Sequence, residues 1–239
     1  MKVPKLKHKS LFNWSGGKDS SLCLYHALRD ERFDIQYLLT TVNGKYKRVS
    51  MHGVSEDLLD DQAESIGLPL RKIHLPEFPT MSEYEAIISK ELEEAKEKNI
   101  NISIFGDIFL EDLREYREKQ LRKKGFTAMF PLWKRDTMDI AREFIELGFK
   151  AIVVSVDGRY LDESFAGRIY DKSFIDDLPA NVDPCGENGE FHSFVFDGPI
   201  FNNPIQFEKG KTVYKEYKSH SKDEPNENIG FWYCDLLRN

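Results

Sequence analysis

Through the first two thirds of the chain, short runs of consecutive apolar residues alternate with stretches whose apolar positions recur every three to four residues. The runs at 10–14, 33–42, 70–75, 102–107, 127–132 and 151–156 have the length and the β-branched or aromatic content of buried strands, and the stretches 18–29, 55–66, 82–98, 110–123 and 137–147 carry the helical period. Strand and helix in regular alternation predict βαβ units, and hence an α/β fold with a parallel, doubly wound sheet and helices on both faces. Ligands of such sheets bind beyond the carboxyl ends of the strands, so the chemistry is expected around 14–20, 40–44, 106–107 and 132–133. After Asp157 the pattern changes. A helical piece at 164–178 is followed by strand-like runs at 190–196, 205–218 and 229–237, broken by Gly, Pro and Asn, which predicts a smaller C-terminal α+β part containing antiparallel strands. The polar segment 219–228 reads as a mobile loop. The working division is 1–135 and 136–239, with 127–156 able to pack with either half.

The first apolar run breaks into Ser15-Gly16-Gly17-Lys18-Asp19-Ser20 and resumes as a helix. Strand, glycine turn and helix start in succession make an anion site. Glycines let a ligand approach the backbone, and the helix start offers N–H groups and a positive dipole end. Lys18 adds a full charge, and Ser15 and Ser20 add hydroxyls. The Walker pattern is absent, because one residue separates Gly16 from Lys18 and Asp19 stands where Ser or Thr would be.

Composition narrows the picture. In 239 residues, 40% hydrophobic and 13% aromatic content supports a packed interior. A net charge of -7 argues against general nucleic-acid binding. The basic start lacks a signal peptide's apolar core, and no window approaches a membrane span, so the expected location is cytoplasmic. Cys23, Cys185 and Cys234 form no C-x-x-C pair and fit a reducing compartment without disulfides.

Three further clusters carry chemistry. Gly106 and Asp107 end a predicted strand, with Glu111, Asp112 and Arg114 on the next helix. These carboxylates suit Mg²⁺ on phosphate oxygens and Arg114 suits charge neutralisation; a helix cap with a solvated charged face explains them equally well. His52, before Gly53, is either a phosphate contact or a turn residue. The stretch Asp183-Pro184-Cys185-Gly186-Glu187-Asn188-Gly189-Glu190-Phe191-His192 gathers carboxylates, an amide, a thiol and an imidazole around two glycines, and Asn-Gly also signals a hairpin turn. Cys185 and His192 alone are too few for a closed zinc site.

The loop at 15–20 resembles the SGGxDS loop of the ATP pyrophosphatase (PP-loop) superfamily, with its HUP-like sheet. Together with Met51-His52-Gly53, Gly106-Asp107-Ile108, Pro131-Leu132-Trp133 and Gly186-Glu187-Asn188-Gly189-Glu190-Phe191-His192, the chain resembles the diphthine-ammonia ligase family in its short, prokaryotic form. The resemblance implies an ATP-dependent amide ligase. ATP adenylates a carboxylate of diphthine on translation elongation factor 2, and ammonia displaces AMP. It places the nucleotide site on Ser15, Gly16, Gly17, Lys18, Asp19, Ser20, Thr41, His52 and Gly106, with adenine against 40–42. Catalytic roles fall on Lys18, Asp107, Glu187, Glu190 and His192, and Mg²⁺ contacts on Asp19 and Asp107. The general base stays open among Glu187, Glu190 and His192. A phosphate-facing Lys18 is expected to be replaceable with little effect on folding. Two alternatives remain: a PP-loop enzyme with another acceptor, such as an RNA or a small molecule, and a nucleotide-binding protein without turnover.

Overall fold

The first apolar run forms β1 (His8–Asn13), buried from residue 10 to 12, and it lies at the centre of the larger sheet. The computed structural model describes residues 7–46, 48–49, 53–218 and 228–238. Beside β1 on one side lies β2 (Phe33–Asn43), followed by β4 (Leu70–Leu75); on the other side lie β5 (Ile102–Ile104) and β6 (Thr127–Met129), all parallel. A two-residue strand, β3 (Arg48–Val49), turns back antiparallel onto the end of β2. The chain therefore builds outward from β1 through β2 and β4, then crosses back to start again at β5. That reversal makes the carboxyl ends of β1 and β5 the topological switch point of the sheet.

Four helices connect these strands, α1 (Lys18–Arg29), α2 (Glu56–Ile66), α3 (Met81–Glu97) and α4 (Glu111–Lys123), and α5 (Thr137–Glu146) leads from β6 to the second sheet. Local signals set their ends. Thr80 and Glu83 close a capping box on α3, and Gly67 ends α2 in the left-handed conformation at φ 81°. Neighbouring residues of β1 point to opposite faces: Leu11 joins the core with Leu92 of α3 and Leu121 of α4, whereas Phe12 joins the core with Leu22 of α1 and Leu58 of α2. No helix among the described residues is long and apolar enough to cross a membrane.

The second sheet is antiparallel throughout, in the order β8 (Phe191–Asp197), β7 (Lys150–Asp157), β10 (Asn228–Arg238), β9 (Phe207–Lys218). Its presence matches the expected change of character, with one correction. The run 151–156 follows a helix as a further βαβ strand would, yet it pairs antiparallel with β8 and β10. All but its first residue are buried, and a fully buried strand has no alternation that tells a parallel sheet from an antiparallel one. The helical piece expected at 164–178 is also divided, into a 3₁₀ turn (Glu163–Phe165) and α6 (Lys172–Asp176), because Ile169 bridges to Ile152 between them. Residues 219–227 of the expected loop lie outside the described residues, as does His52, and Asn228 already belongs to β10.

Candidate active site

At the carboxyl end of β1 the chain turns through Ser15, Gly16 and Gly17 into α1, with Gly17 as the helix N-cap. Gly16 adopts φ 77°, and a Cβ there would sit 2.7 Å from both Gln62 Oε1 and Leu59 Cδ2, so backbone angle and space both require glycine. The end of β5 approaches the same helix start so closely that a Cβ on Gly106 would lie 3.2 Å from the backbone of Asp19 and Ser20. Both glycines thus serve the switch point, one by conformation and the other by proximity.

The loop is held from inside. Ser15 Oγ donates to Ser20 Oγ (3.0 Å) and accepts from the Gly17 N–H (3.3 Å), and Ser20 Oγ donates to the Gly17 carbonyl (2.9 Å). It is also held from the second sheet. The Lys18 N–H donates to Ser193 Oγ (3.2 Å), and the Val195 N–H of β8 donates to the Gly16 carbonyl (2.9 Å). Gln62 of α2, fully buried, accepts from Trp14 Nε1 (3.0 Å) and donates to the carbonyls of Gly16 (3.0 Å) and Val195 (2.6 Å). One side chain therefore fixes the strand before the loop, the loop itself and the neighbouring sheet.

Lys18 differs from a solvent-facing phosphate ligand. It is 4% exposed, its Nζ donates to both Asp19 oxygens (2.9 and 2.8 Å) and to the Cys185 carbonyl, and the rings of Tyr170 and Phe191 stand 5.9 and 5.5 Å away. Burial pulls its pKa down, but the carboxylate of Asp19 and further acidic neighbours outweigh burial and hold the ammonium above the ordinary lysine value. Asp19 is raised by burial and restrained by Lys18.

The loop opens onto a cavity of about 850 Å³, within the range of small-molecule sites. The turn before β8, which touches the loop where Lys18 donates to the Cys185 carbonyl, lines the same cavity. Asp183 Oδ1 accepts from the N–H groups of Cys185 (2.7 Å) and Glu187 (3.4 Å), and Gly186 turns at φ 69°. Glu187 and His192 line the cavity. Burial, then the charge of Asp19 against the pull of Lys18, pushes the Glu187 carboxyl up to about 7. Glu190 takes a different place from the one expected. It is 1% exposed and does not line the cavity; its carboxylate accepts from the N–H groups of Asp183 (3.0 Å) and Asn188 (2.9 Å) and from the Asn188 amide (2.9 Å). It braces the turn that carries Glu187.

Asp107 also lines the cavity, raised by burial despite its ion pair with Arg117. Arg117, one helical turn beyond the expected Arg114, is the arginine that faces the cavity. Arg114 instead stacks over Trp133 and Phe130 (4.5 and 4.9 Å) and pairs with Glu118. Thr41 and Gly106 line the cavity, as do Ser15, Gly17, Asp19 and Ser20, while Gly16 lies behind the loop against Gln62. Among the described residues no group of three or more His, Cys, Asp or Glu is placed to hold a metal ion. A Mg²⁺ ion carried on phosphates needs only one or two carboxylates, and Asp19 and Asp107, close enough for the charge of Asp19 to raise Asp107, fit that requirement. Burial drives the thiols of Cys23 and Cys185 upward, away from nucleophilic character.

Gln62, Ser193 and Arg117 escape the sequence reading. Gln62 leaves a visible mark: it interrupts the apolar stripe Leu58, Leu59, Ala63 at a position where the helical period calls for an apolar residue.

Residues 8–128 match the diphthamide synthase N-terminal domain, and residues 136–224 match the diphthamide synthase C-terminal domain. Diphthine-ammonia ligase of Homo sapiens is 27% identical over 183 residues, covering 70% of this chain and 67% of that protein. The enzyme of the same name from Schizosaccharomyces pombe is 24% identical over 237 residues, covering 88% of this chain and 39% of that protein. Among solved structures, the U34-tRNA thiolase NcsA from Methanococcus maripaludis aligns at a TM-score of 0.38 with 18% identity, over 61% of this chain and 60% of that one.

Proposed function

The chain belongs to the diphthamide synthase family, and we propose that it is an ATP-dependent ligase that adenylates a carboxylate and converts it to an amide with ammonia. The observation that carries this reading is the switch-point cavity, lined together by a glycine loop with its helix start and by the Glu187 turn. In the first step a carboxylate oxygen attacks the α-phosphorus, the bond to the β-phosphate oxygen breaks, and pyrophosphate leaves. In the second step ammonia attacks the acyl carbon, and AMP leaves with the electrons of the C–O bond.

The difficulty of the first step is charge, since carboxylate and triphosphate repel. The positive end of α1 is the group that meets the charge developing on pyrophosphate, and Lys18, whose ammonium donates to Asp19 and the Cys185 carbonyl, sets the Asp19 carboxylate beside it. Mg²⁺, held by Asp19 and Asp107, would supply further neutralisation of phosphate oxygens. Thr41, at the end of β2, is the wall along which the nucleoside lies. For the second step, Glu187 is the base that accepts a proton from ammonium: its raised pKa suits proton transfer near neutrality, and it faces the cavity. His192 on the same wall orients the acceptor, and Glu190 acts through the turn it braces. Diphthine is the acceptor that the names of the relatives carry, and elongation factor 2, which the resemblance of the motifs implies, is the protein that would present it.

The test is pyrophosphate and AMP release from ATP and Mg²⁺ with ammonium, with and without diphthine-bearing elongation factor 2, followed by mass spectrometry of the factor. The expected result is AMP release coupled to conversion of acid to amide. AMP without a mass change in the factor would move the acceptor elsewhere, and absence of turnover and of nucleotide binding would overturn the reading.

A further inference from the structure

Residues 183–190, which carry Glu187, belong to no helix or strand, so the shape of this turn depends on what grips it from outside. Three consecutive residues are gripped from three separate parts of the chain. Thr137 Oγ1 of α5 donates to Asp183 Oδ2 (2.7 Å), Tyr170 Oη donates to the Pro184 carbonyl (2.7 Å), and Lys18 of α1 donates to the Cys185 carbonyl. The contact with Thr137 runs both ways, since Cys185 Sγ donates back to the Thr137 carbonyl (3.3 Å).

Thr137 differs from the other two in what it controls. Asp183 Oδ1 accepts from the N–H groups of Cys185 and Glu187, so the plane of this carboxylate decides where the Glu187 backbone lies. A carboxylate turns easily about its last torsion, and bonds to one oxygen leave that torsion loose. Thr137 bonds the other oxygen and fixes the plane from its second side. The Glu187 N–H contact is already long at 3.4 Å, so a small rotation of Asp183 breaks it. The hydroxyl that prevents this rotation is itself well held, because Thr137 is the first residue of α5 and branching at Cβ restricts its χ1. The helix does not need that hydroxyl: Asp136 already caps α5 by accepting from the Asp139 N–H (3.0 Å). Neither Thr137 nor Asp183 lines the cavity, so the pair shapes the site from behind.

We propose that Thr137 is a positioning residue for the amide-forming step, acting through Asp183 to hold Glu187 at the cavity. The inference rests on the reading of Glu187 as the group that accepts a proton from ammonium. That transfer requires the carboxylate within hydrogen-bond reach of the nitrogen, and a turn free to drift loses that reach. The adenylating step draws on the glycine loop and the start of α1 instead.

The amide formed per AMP released separates the two steps, measured on the whole chain with ATP, Mg²⁺, ammonium and diphthine-bearing elongation factor 2. Thr137→Val keeps the branched shape without the hydroxyl and is expected to lower that ratio roughly tenfold near pH 7. Thr137→Ala, which cannot crowd the turn, is expected to do the same. Thr137→Ser restores the hydroxyl and is expected to return to within about twofold of wild type. The deficit of the valine variant should shrink as pH approaches the pKa of ammonium, because free ammonia needs no base, whereas a lost packing contact has no such dependence. A folded Thr137→Val or Thr137→Ala protein with the wild-type ratio, or with a deficit equal at every pH, overturns the positioning role. Glu187→Gln decides the reading beneath it. If that variant forms amide as wild type does, Glu187 is not the base and the inference falls with it; if it forms none while Thr137→Val keeps the wild-type ratio, the role of Thr137 alone is overturned. Wild-type protein that forms no amide overturns the ligase reading itself.

Discussion

Two side chains that line the cavity, Lys18 and Glu187, carry opposite consequences for stability. Lys18 is enclosed rather than solvent-facing, so the expectation that it is replaceable with little effect on folding does not survive its contacts. Lys18→Met keeps the volume but leaves Asp19 beside Glu187 and Asp183 without its counter-ion. We expect loss of pyrophosphate release together with a loss of about 2 to 3 kcal/mol in chemical denaturation. The figure falls below that of a fully enclosed pair because the Asp19 side chain keeps 26% of its surface exposed. A variant as stable as wild type would show that the pair is not fixed in solution. Glu187 has the reverse sign. Its folded pKa of about 7 lies above the ordinary 4.5, so between those values the folded state binds more protons than the unfolded one. Its contribution to stability therefore declines as pH rises from about 4.5 to 7, and stays lost above that. Glu187→Gln is expected to melt above wild type at pH 8, by on the order of 1 to 2 kcal/mol, and level with it at pH 4. The same variant should release pyrophosphate while failing to form amide. A substitution that lowers stability at pH 8 would remove Glu187 from its crowded acidic setting.

Among the elements, α2 has the most to explain, because a helix that contributes no side chain to the cavity wall holds the loop that does. Gln62→Leu is isosteric enough to fit, but it leaves Trp14 Nε1 without its acceptor and withdraws a donor from the Gly16 and Val195 carbonyls. Burying the Trp14 N–H unsatisfied and removing one donor from each carbonyl, with the Gly16 carbonyl keeping the Val195 N–H, should cost about 1 to 3 kcal/mol. It should also raise the KM for ATP at least tenfold, because the loop loses the contact that sets Gly16. Gln62→Ala with normal ATP kinetics would show that β8 alone holds the loop. The sequence reading reached the elements of the parallel sheet within a few residues, since amphipathic periods and the glycine loop are local signals. Most of the candidate residues it named line the cavity, because a doubly wound sheet puts its site at strand ends, but the wall supplied by α3 and α4 was not among them. Ser193 and Arg117 were out of reach, and Gln62 was marked only as a break in the apolar stripe of α2, for a different reason. Their roles depend on which segments meet in space: β8 against the loop, and the face of α4 that turns toward Asp107. The placement of β7 is the same problem at the level of a strand, as its paired residues lie 35 to 78 positions downstream.

For the whole molecule, the question is whether the proposed halves 1–135 and 136–239 are separate folding units. Two sheets and two matched family domains suggest separate units, whereas the packing supports one. A single hydrophobic core runs from Phe12 and Leu24 through Leu58 and Phe144 to Phe194 and Leu236, so it draws on both halves. Polar ties cross at several places away from the loop: Asn202 N–H to the Ser65 carbonyl (2.9 Å), Ser65 Oγ to the Asn203 carbonyl (2.5 Å), and Arg238 to Asp61 (2.6 Å). Separation would expose the apolar faces of α1 and α2 on one piece and of β7 and β8 on the other. Urea unfolding of the whole chain is therefore expected to give one transition, with far-ultraviolet circular dichroism and tryptophan fluorescence sharing a midpoint. Residues 1–135 alone should neither unfold cooperatively nor bind ATP, since the loop would lack Ser193, Val195 and the Cys185 carbonyl. Two resolved transitions, or a soluble 1–135 fragment that binds ATP as tightly as the full chain, would make the second sheet a separable appendage. One transition would instead make the two sheets a single folding unit, tied at the glycine loop by Ser193 and Val195 of the strand that follows the Glu187 turn.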